Sequence, residues 1–514
     1  MRELSAKLTE GEKSQKPGGF SLPCLKGGFY IKNLNFPEKR LYFNYLNPER
    51  RKTMDINFKE IDLFIKENKE NILRDIARLV AVPSIEGEPE EDAPFGAEPK
   101  KALELGLEIA SELGLDTRNC ENYIGYAEIP GENEEKYIAT VTHLDVVPVG
   151  EGWTKSPFEM WEKDGYIIGR GVMDDKGPSV ICLYALKYLK EKNIPLRYTV
   201  RALLGANEET GMGDVSYFLK NYPAPAFAFS PDSNFPVCNG EKGIYQGMIY
   251  SKCAPEKIVS IEGGMAFNVI PDKAEAVLKC GGKLPPEAEN IEVSAKDGLL
   301  TIKAYGKSGH ASMPEGTVNA IGVLVNYILE NELCSEAEAE YLSVLKALHS
   351  CPYGTGLGVD ADDKKFSPLT IIGGIIGIKD GKFFQSLDSR YPTNTSGAQI
   401  TAAINEKFGE HCLCETIAEM EPFYIEPDSA EIQTCINTYN EITGEKAELY
   451  TMGGGTYARD FPNAVSFGPE HPERPMPEWV GAVHCVDEGA SVEFLLEALK
   501  IYIATLIRLQ DVEL

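Results

Sequence analysis

No run in this sequence is long and apolar enough to cross a bilayer. The strongest, "IIGGIIGI" from Ile371 to Ile378, has eight residues, against about 20 for a spanning helix; it reads as one buried strand. The first residues, "MRELSAKLTEGEKSQ", have no apolar core, which excludes a secretory signal. There are twelve cysteines but no C-x-x-C pair, and the nearest two, Cys412 and Cys414, form a weak metal pattern. They read as reduced thiols filling small core positions in a cytoplasmic protein. Positive charge is short: 51 Lys and Arg stand against 79 Asp and Glu, a net charge of −28. That balance argues against nucleic acid or an anionic membrane as partner and leaves a small-molecule enzyme open. Repeats and low-complexity tracts are also missing.

What is present is an ordinary globular composition, 43% hydrophobic and 25% charged over 514 residues. That length is too great for one core and implies at least two domains. Residues 1–53 stand apart, with eleven Lys and Arg against five Asp and Glu. Two explanations fit them: a disordered tail, or a mis-assigned start with the protein beginning at Met54, which is slightly favoured. Acidic residues in the segment argue against a transit peptide.

From Met54 onward apolar residues fall at helical spacing as far as Val82 and Pro83, which predicts a helix. From about residue 100 helices and strands alternate, the mark of an α/β layer fold. "KALELGLEIASELG" is an amphipathic helix stopping at Gly114, and "GPSVICLYALKYLKEKN" is a helix carrying Pro178 in its first turn, where proline is tolerated. "SVEFLLEALKIYIATLIRL" closes the chain as a long helix.

The apolar runs end in acid–base or metal-binding residues. "YIATVT" leads to His143 and Asp145, "YIIGRG" to Asp174 and Asp175, "VRALLGAN" to Glu208 and Glu209, "AFAFSP" to Asp232, and "NAVSFGP" by a longer loop to His484. Ligands of open α/β sheets bind outside the carboxyl ends of the strands, so mostly parallel strands bring these ends to one rim. Two imidazoles and several carboxylates are the donors two zinc ions need. Adjacent aspartates repel, but one carboxylate can bridge two cations about 3.5–4 Å apart, and their charge removes the repulsion. Of Glu208 and Glu209, one can ligate while the other stands over the attacking water as general base. Asp145, two residues from His143 on one strand face, can hold the second imidazole nitrogen. Each motif alone is an ordinary solvated loop; their combination at strand ends is what points to a site. His349, His411 and His471 lack such surroundings and read as structural.

The motifs "THLDVVPVGEGW", "GRGVMDDKG", "NEETGMGD", "SPDSNFP" and "VHCVDEG" together resemble those of the dinuclear zinc peptidases of carboxypeptidase G, acetylornithine deacetylase and succinyl-diaminopimelate desuccinylase. The resemblance runs from about Met54 to the C-terminus. It implies that His143 and Asp232 bind one zinc, Glu209 and His484 the other, and Asp174 both. It implies a cis peptide after Asp174, Glu208 as general base and Asp145 orienting His143. Cobalt or manganese fit the same ligands.

About 180 residues, from Glu241 to Glu421, lie between Asp232 and the resumption of the catalytic domain. Their length resembles the doubled lid of the PepV-type (Xaa-His or carnosinase-like) dipeptidases, in which the lid replaces a dimer partner. The resemblance thus implies a catalytic domain over 54–240 and 422–514 with a mixed, mostly parallel sheet flanked by helices, an inserted α+β lid over 241–421, and a monomer. "GGMAFNVIPDKAEA" implies Asn268 facing substrate. "GKSGHASMPEGTVNAI" implies that His310 polarises the scissile carbonyl, and "SLDSRYP" that Arg390 clamps the substrate carboxylate. "GGGTYARDFPNAVSFGP" adds Gly454 and Arg459. Without the resemblance His310 is a loop histidine and Arg390 a surface ion pair. The expectation is a zinc-dependent dipeptidase acting on small unblocked peptides. The alternatives are an N-acyl amino acid deacylase or carboxypeptidase with the same metal site, and a zinc-binding scaffold without turnover, against which Glu208 argues.

Overall fold

The computed structural model describes residues 56–279 and 284–514; the expectations for residues 1–53 lie outside them. The described chain is built on two nine-stranded sheets.

The first sheet has four parallel strands at its centre, in the order Tyr198–Gly205, Asn133–His143, Phe227–Ser230 and Ala464–Ser466. Antiparallel strands flank them, Ile124–Ile129 and Asp116–Cys120 on one side and Cys238–Glu241 and Phe423–Tyr424 on the other. Side chains on a strand alternate between faces. Val200, Ala202 and Leu204 therefore join a core with helices Phe58–Val80, Lys176–Glu191 and Val492–Leu509, while Leu203 joins a smaller core on the other face with Phe218 and Tyr457. The expected helices are all there. Helix Ala97–Glu112 gives way at Gly114, whose φ of 81° lets the chain turn off.

Two expectations differ from the structure. "IIGGIIGI" forms two short strands, Thr370–Ile372 and Ile376–Lys379, not one. The glycines between them leave room for the neighbouring backbone: a Cβ on Gly374 would lie 2.3 Å from the carbonyl oxygen of Phe267. The strand before the paired aspartates, Tyr166–Ile168, is not in the parallel sheet. It belongs to a separate antiparallel sheet with Trp161–Lys163 and Gly489–Ser491. Asp174 and Asp175 reach the rim as the turn into helix Lys176–Glu191, with Asp175 at its N-cap.

The second sheet lies wholly between Gly243 and Met420, in antiparallel pairs, with helices Ala320–Glu330, Glu336–His349 and Gly397–Phe408 supplying its own core. Cys412 and Cys414 are buried in that core on one face of strand Cys412–Met420. The chain passes between the sheets at Lys242 and again at Glu421 and Pro422. Among the described residues no helix is long and apolar enough to cross a membrane.

Candidate dinuclear metal centre

Four loops at the carboxyl ends of the parallel strands meet the turn before helix Lys176–Glu191. The ligand atoms form two groups within 4.8 Å, one of His143, Asp174 and Asp232, the other of Asp174, Glu209 and His484. Asp174 belongs to both. Its Oδ1 lies 2.9 Å from Nε2 of His143 and its Oδ2 lies 2.8 Å from Nε2 of His484. Asp232 Oδ2 is 3.8 Å from His143 Nε2, and Glu209 Oε2 is 3.2 Å from His484 Nε2. The Asp174–Asp175 peptide is cis.

The donors fit cations better than they fit one another. His143 Nε2 and Glu209 Oε1 are buried yet make no hydrogen bond, despite the short approach of His143 to Asp174. The Nδ1 of His143 lies 3.0 Å from the carbonyl oxygen of Asp145, which places a proton on Nδ1 and leaves Nε2 as the nitrogen a cation would take; without a cation, burial opposes the charged ring but Asp145 and Asp174 outweigh it and raise its proton affinity. Charge in the cluster is unbalanced. Burial and then the nearby Asp232 push the Glu208 carboxyl well above the usual range, and burial with Asp174 does the same to Asp232. Burial opposes the ionised form of Asp174 as well, but His143 and His484 outweigh it and hold that carboxyl low. His484 is raised to about 11, chiefly by its hydrogen bond to Asp174 and then by Glu209. A set of buried carboxylates that cannot all ionise unaided is the donor set that divalent cations neutralise.

The surroundings hold this geometry. Asp145 orients His143 through its carbonyl, whereas its carboxylate, 3.5 Å from Nδ1, accepts the amides of Glu208 and Glu209 at 3.1 Å each. One aspartate thereby fixes both the imidazole and the glutamate turn. Asp175 faces inward: its Oδ2 accepts the amide of His143 at 3.2 Å, and Ser179 Oγ donates to the carbonyl of His143. Asp214 Oδ2 accepts the amides of Ala206 and Asn207 and the hydroxyl of Tyr457, bracing the loop that carries the glutamates. Arg170, Asp214 and Glu488 were not singled out from sequence, although "GRG" and "VDEG" bracket two of them.

The residues expected in the lid form a second cluster. Asn268 Nδ2 is 3.5 Å from His310 Nε2. The amide of Ser312 donates to His310 Nδ1 at 3.2 Å, which puts the ring proton on Nε2 when the Asn268 side-chain amide turns its oxygen rather than Nδ2 toward that nitrogen. Burial and then Arg390 lower the proton affinity of His310 and keep it neutral. Arg390 is nearly buried, with Nε on Asp388 at 2.9 Å and Nη1 on the carbonyl of Gly453 at 3.1 Å. Gly453, next to Gly454, packs against Ser312 so closely that a Cβ there would lie 2.9 Å from the serine Cβ. Arg459 is placed elsewhere. Its side chain is 2% exposed, and its Nη2 donates to the carbonyls of Lys242 and Glu421, the two points where the chain passes between sheets. The short helical turn Tyr457–Asp460 directs it there rather than toward the rim.

Residues 139–508 match peptidase family M20/M25/M40. The chain belongs to this family. The peptidase is 31% identical to the putative dipeptidase YtjP of Bacillus subtilis over 458 residues, 84% of this chain and 96% of that one. It is 30% identical to the Beta-Ala-Xaa dipeptidase of Lactobacillus delbrueckii subsp. lactis, over 87% of this chain and 97% of the relative. Among solved structures, human carnosine dipeptidase 1 has the same fold, with a TM-score of 0.56 and 14% identity over 89% of this chain and all of the other. The α/β body and the second, antiparallel sheet are thus those of a metal-binding M20 peptidase.

Proposed function

We propose that this peptidase is a zinc-dependent dipeptidase of the cytoplasm that hydrolyses unblocked dipeptides as a monomer. The observation that carries the reading is the sharing of Asp174 between two ligand groups, beside a carboxylate, Glu208, that neither group uses. The names of the relatives point to dipeptides. His143 and Asp232 would hold one zinc, Glu209 and His484 the other, and Asp174 both; cobalt or manganese would fit the same donors. When bound, the two cations draw charge from the scissile carbonyl and make the attacking water more acidic.

The remaining steps fall to the chain's own residues. Glu208 takes the proton of the attacking water and returns it to the leaving amine. Its raised proton affinity, caused first by burial and then by Asp232, suits a base that must also act as an acid. Asp145 holds the backbone of Glu208 and the ring of His143, so base and ligand keep a fixed relation. His310 donates from Nε2 to the developing oxyanion. Arg390 clamps the substrate carboxylate, with Asp388 keeping its guanidinium oriented. Asn268 and the backbone at Gly454 line the substrate. Arg459 supports the passage between the sheets instead of contacting substrate.

We assign residues 54–240 and 422–514 to the catalytic domain and 241–421 to a doubled lid. The packing of Ser312 against Gly453 within one chain supports a lid that works without a partner subunit. A deacylase or carboxypeptidase would use the same metal site but would not need a free amino terminus. The test of the reading is removal and return of metal. Protein stripped with a chelator should lose hydrolysis of Leu-Leu and regain it with two equivalents of zinc per chain. Undiminished hydrolysis after complete stripping would refute it.

A further inference from the structure

The loop carrying His484 holds an unusual backbone. His484 has a φ of 63° and Asp487 a φ of 55°, in the left-handed region that residues with a side chain avoid. Such conformations persist only where the surroundings impose them. Beside them lies a buried ion pair outside both ligand groups. Arg170 Nη1 donates to Glu488 Oε2, with side chains 1% and 0% exposed. Arg170 Nη2 reaches the carbonyl of His484 at 3.3 Å and that of Pro148 at 3.5 Å. Glu488 Oε1 takes three amides from the other side of the site: Gly171 at 3.0 Å, and Met173 and Asp174 at 3.3 Å each.

The pair therefore grips the backbones of two ligand-bearing residues, Asp174 through Glu488 and His484 through Arg170. A buried ion pair is weak evidence for stability, since desolvation offsets the attraction. What distinguishes this one is where its remaining donors and acceptors go. Two further contacts brace the same loop: Asp487 accepts the amide and hydroxyl of Thr154 at 2.9 and 2.6 Å, and the Trp153 ring stands 5.2 Å from the Arg170 guanidinium carbon. The His143 side of the site is held by other residues, Asp145, Asp175 and Ser179.

We propose that Arg170 and Glu488 are positioning residues that set the distance between Asp174 and His484, and so tune the cation site of Glu209 and His484 more than that of His143 and Asp232. The proposal rests on the two-cation reading above. The test is zinc titration of the metal-free full chain against a chelating dye, for the wild type, Arg170→Lys and Glu488→Gln. Both substitutions keep nearly the original volume. Wild type should take up two equivalents. Each variant should bind one equivalent as before and the other about 10- to 100-fold more weakly, the size usual for groups that orient metal ligands. Turnover at saturating zinc should recover most of the loss seen at limiting zinc. Two equivalents bound with wild-type affinities in both variants would overturn the proposal and leave the two-cation reading standing. Equal weakening of both equivalents, or failure of both variants to fold, would also overturn it and make the pair a support of the fold alone. Uptake of fewer than two equivalents by the wild type would overturn the two-cation reading and this inference together.

Discussion

The two carboxylate oxygens of Asp174 face different imidazoles, His143 at 2.9 Å and His484 at 2.8 Å. No other side chain belongs to both ligand groups found among the described residues. Asp174→Ala should therefore remove the link between the sites. Losing several kcal/mol of electrostatic stabilisation corresponds to a fall in turnover of about 10³-fold or more. Metal analysis after gel filtration should show fewer than two equivalents retained. Retention of two equivalents with normal turnover would contradict the bridging role.

Glu208 lies in neither ligand group, so the proposed role as base can be separated from metal binding. Glu208→Gln keeps the shape of the side chain and the amide held by Asp145 but cannot accept a proton. Turnover should drop by about 10²–10⁴-fold, with both cations and the KM for dipeptide nearly unchanged. Steady-state kinetics paired with metal analysis checks this.

For His310 the expectation is a kcat effect. Its Nδ1 is taken by the amide of Ser312, which leaves Nε2–H as the donor. His310→Ala should lower kcat by about 10²–10³-fold without metal loss. Because burial and Arg390 hold the ring below the ordinary histidine value, its protonation should reduce activity only below the pH at which a free histidine titrates.

Arg459 should matter for stability more than for substrate. It is buried beside Glu241, with its Nη1 3.8 Å from the carboxylate, and binds both crossover carbonyls. Arg459→Met strands that carboxylate and should cost about 3–5 kcal/mol, read as a lower denaturation midpoint. A raised KM at unchanged stability would instead assign it to substrate.

Acid should destabilise the second sheet's core. His349 is half-buried, its buried Nε2 has no partner, and burial of the ring pushes its pKa down to about 4. In the unfolded chain it takes a proton near pH 6.5, and the folded chain does not until about pH 4. The stability it contributes is complete above pH 6.5 and is lost as pH falls through that window, at up to about 1.4 kcal/mol per pH unit. In metal-free protein, His349→Phe should flatten the fall in melting temperature between pH 6.5 and 4.5. An unchanged slope would contradict this.

How much of this was readable in advance depended on the kind of contact. Three of the four parallel strands could be read because each is an apolar run leading straight to a polar donor, at His143, Glu208 and Asp232, while the fourth reaches His484 only by a longer loop. Where Asp174 sits could not be read: three apolar residues, Tyr166 to Ile168, carry no mark of which sheet they join. Arg459 was expected near substrate from its place after Gly454 in the sequence, but nearness in sequence says nothing of where a long side chain points, and its guanidinium lies on the crossover carbonyls of Lys242 and Glu421. The Arg170–Glu488 pair joins residues more than 300 positions apart, and nothing in either local pattern requires the other. Asp145 was expected to hold the second nitrogen of His143, and both its carbonyl, at 3.0 Å, and its carboxylate, at 3.5 Å, face that nitrogen; that the same carboxylate also accepts two amides of the glutamate turn had no mark in the local sequence.

The central claim is hydrolysis of dipeptides with a free amino terminus, and its most direct test uses one substrate pair. The zinc-loaded protein should be assayed on Leu-Leu beside N-acetyl-Leu-Leu at equal concentrations. The account predicts rapid cleavage of Leu-Leu and little or none of the acetylated form. Preference for the acetylated form would contradict it and assign the same metal site to a deacylase or carboxypeptidase.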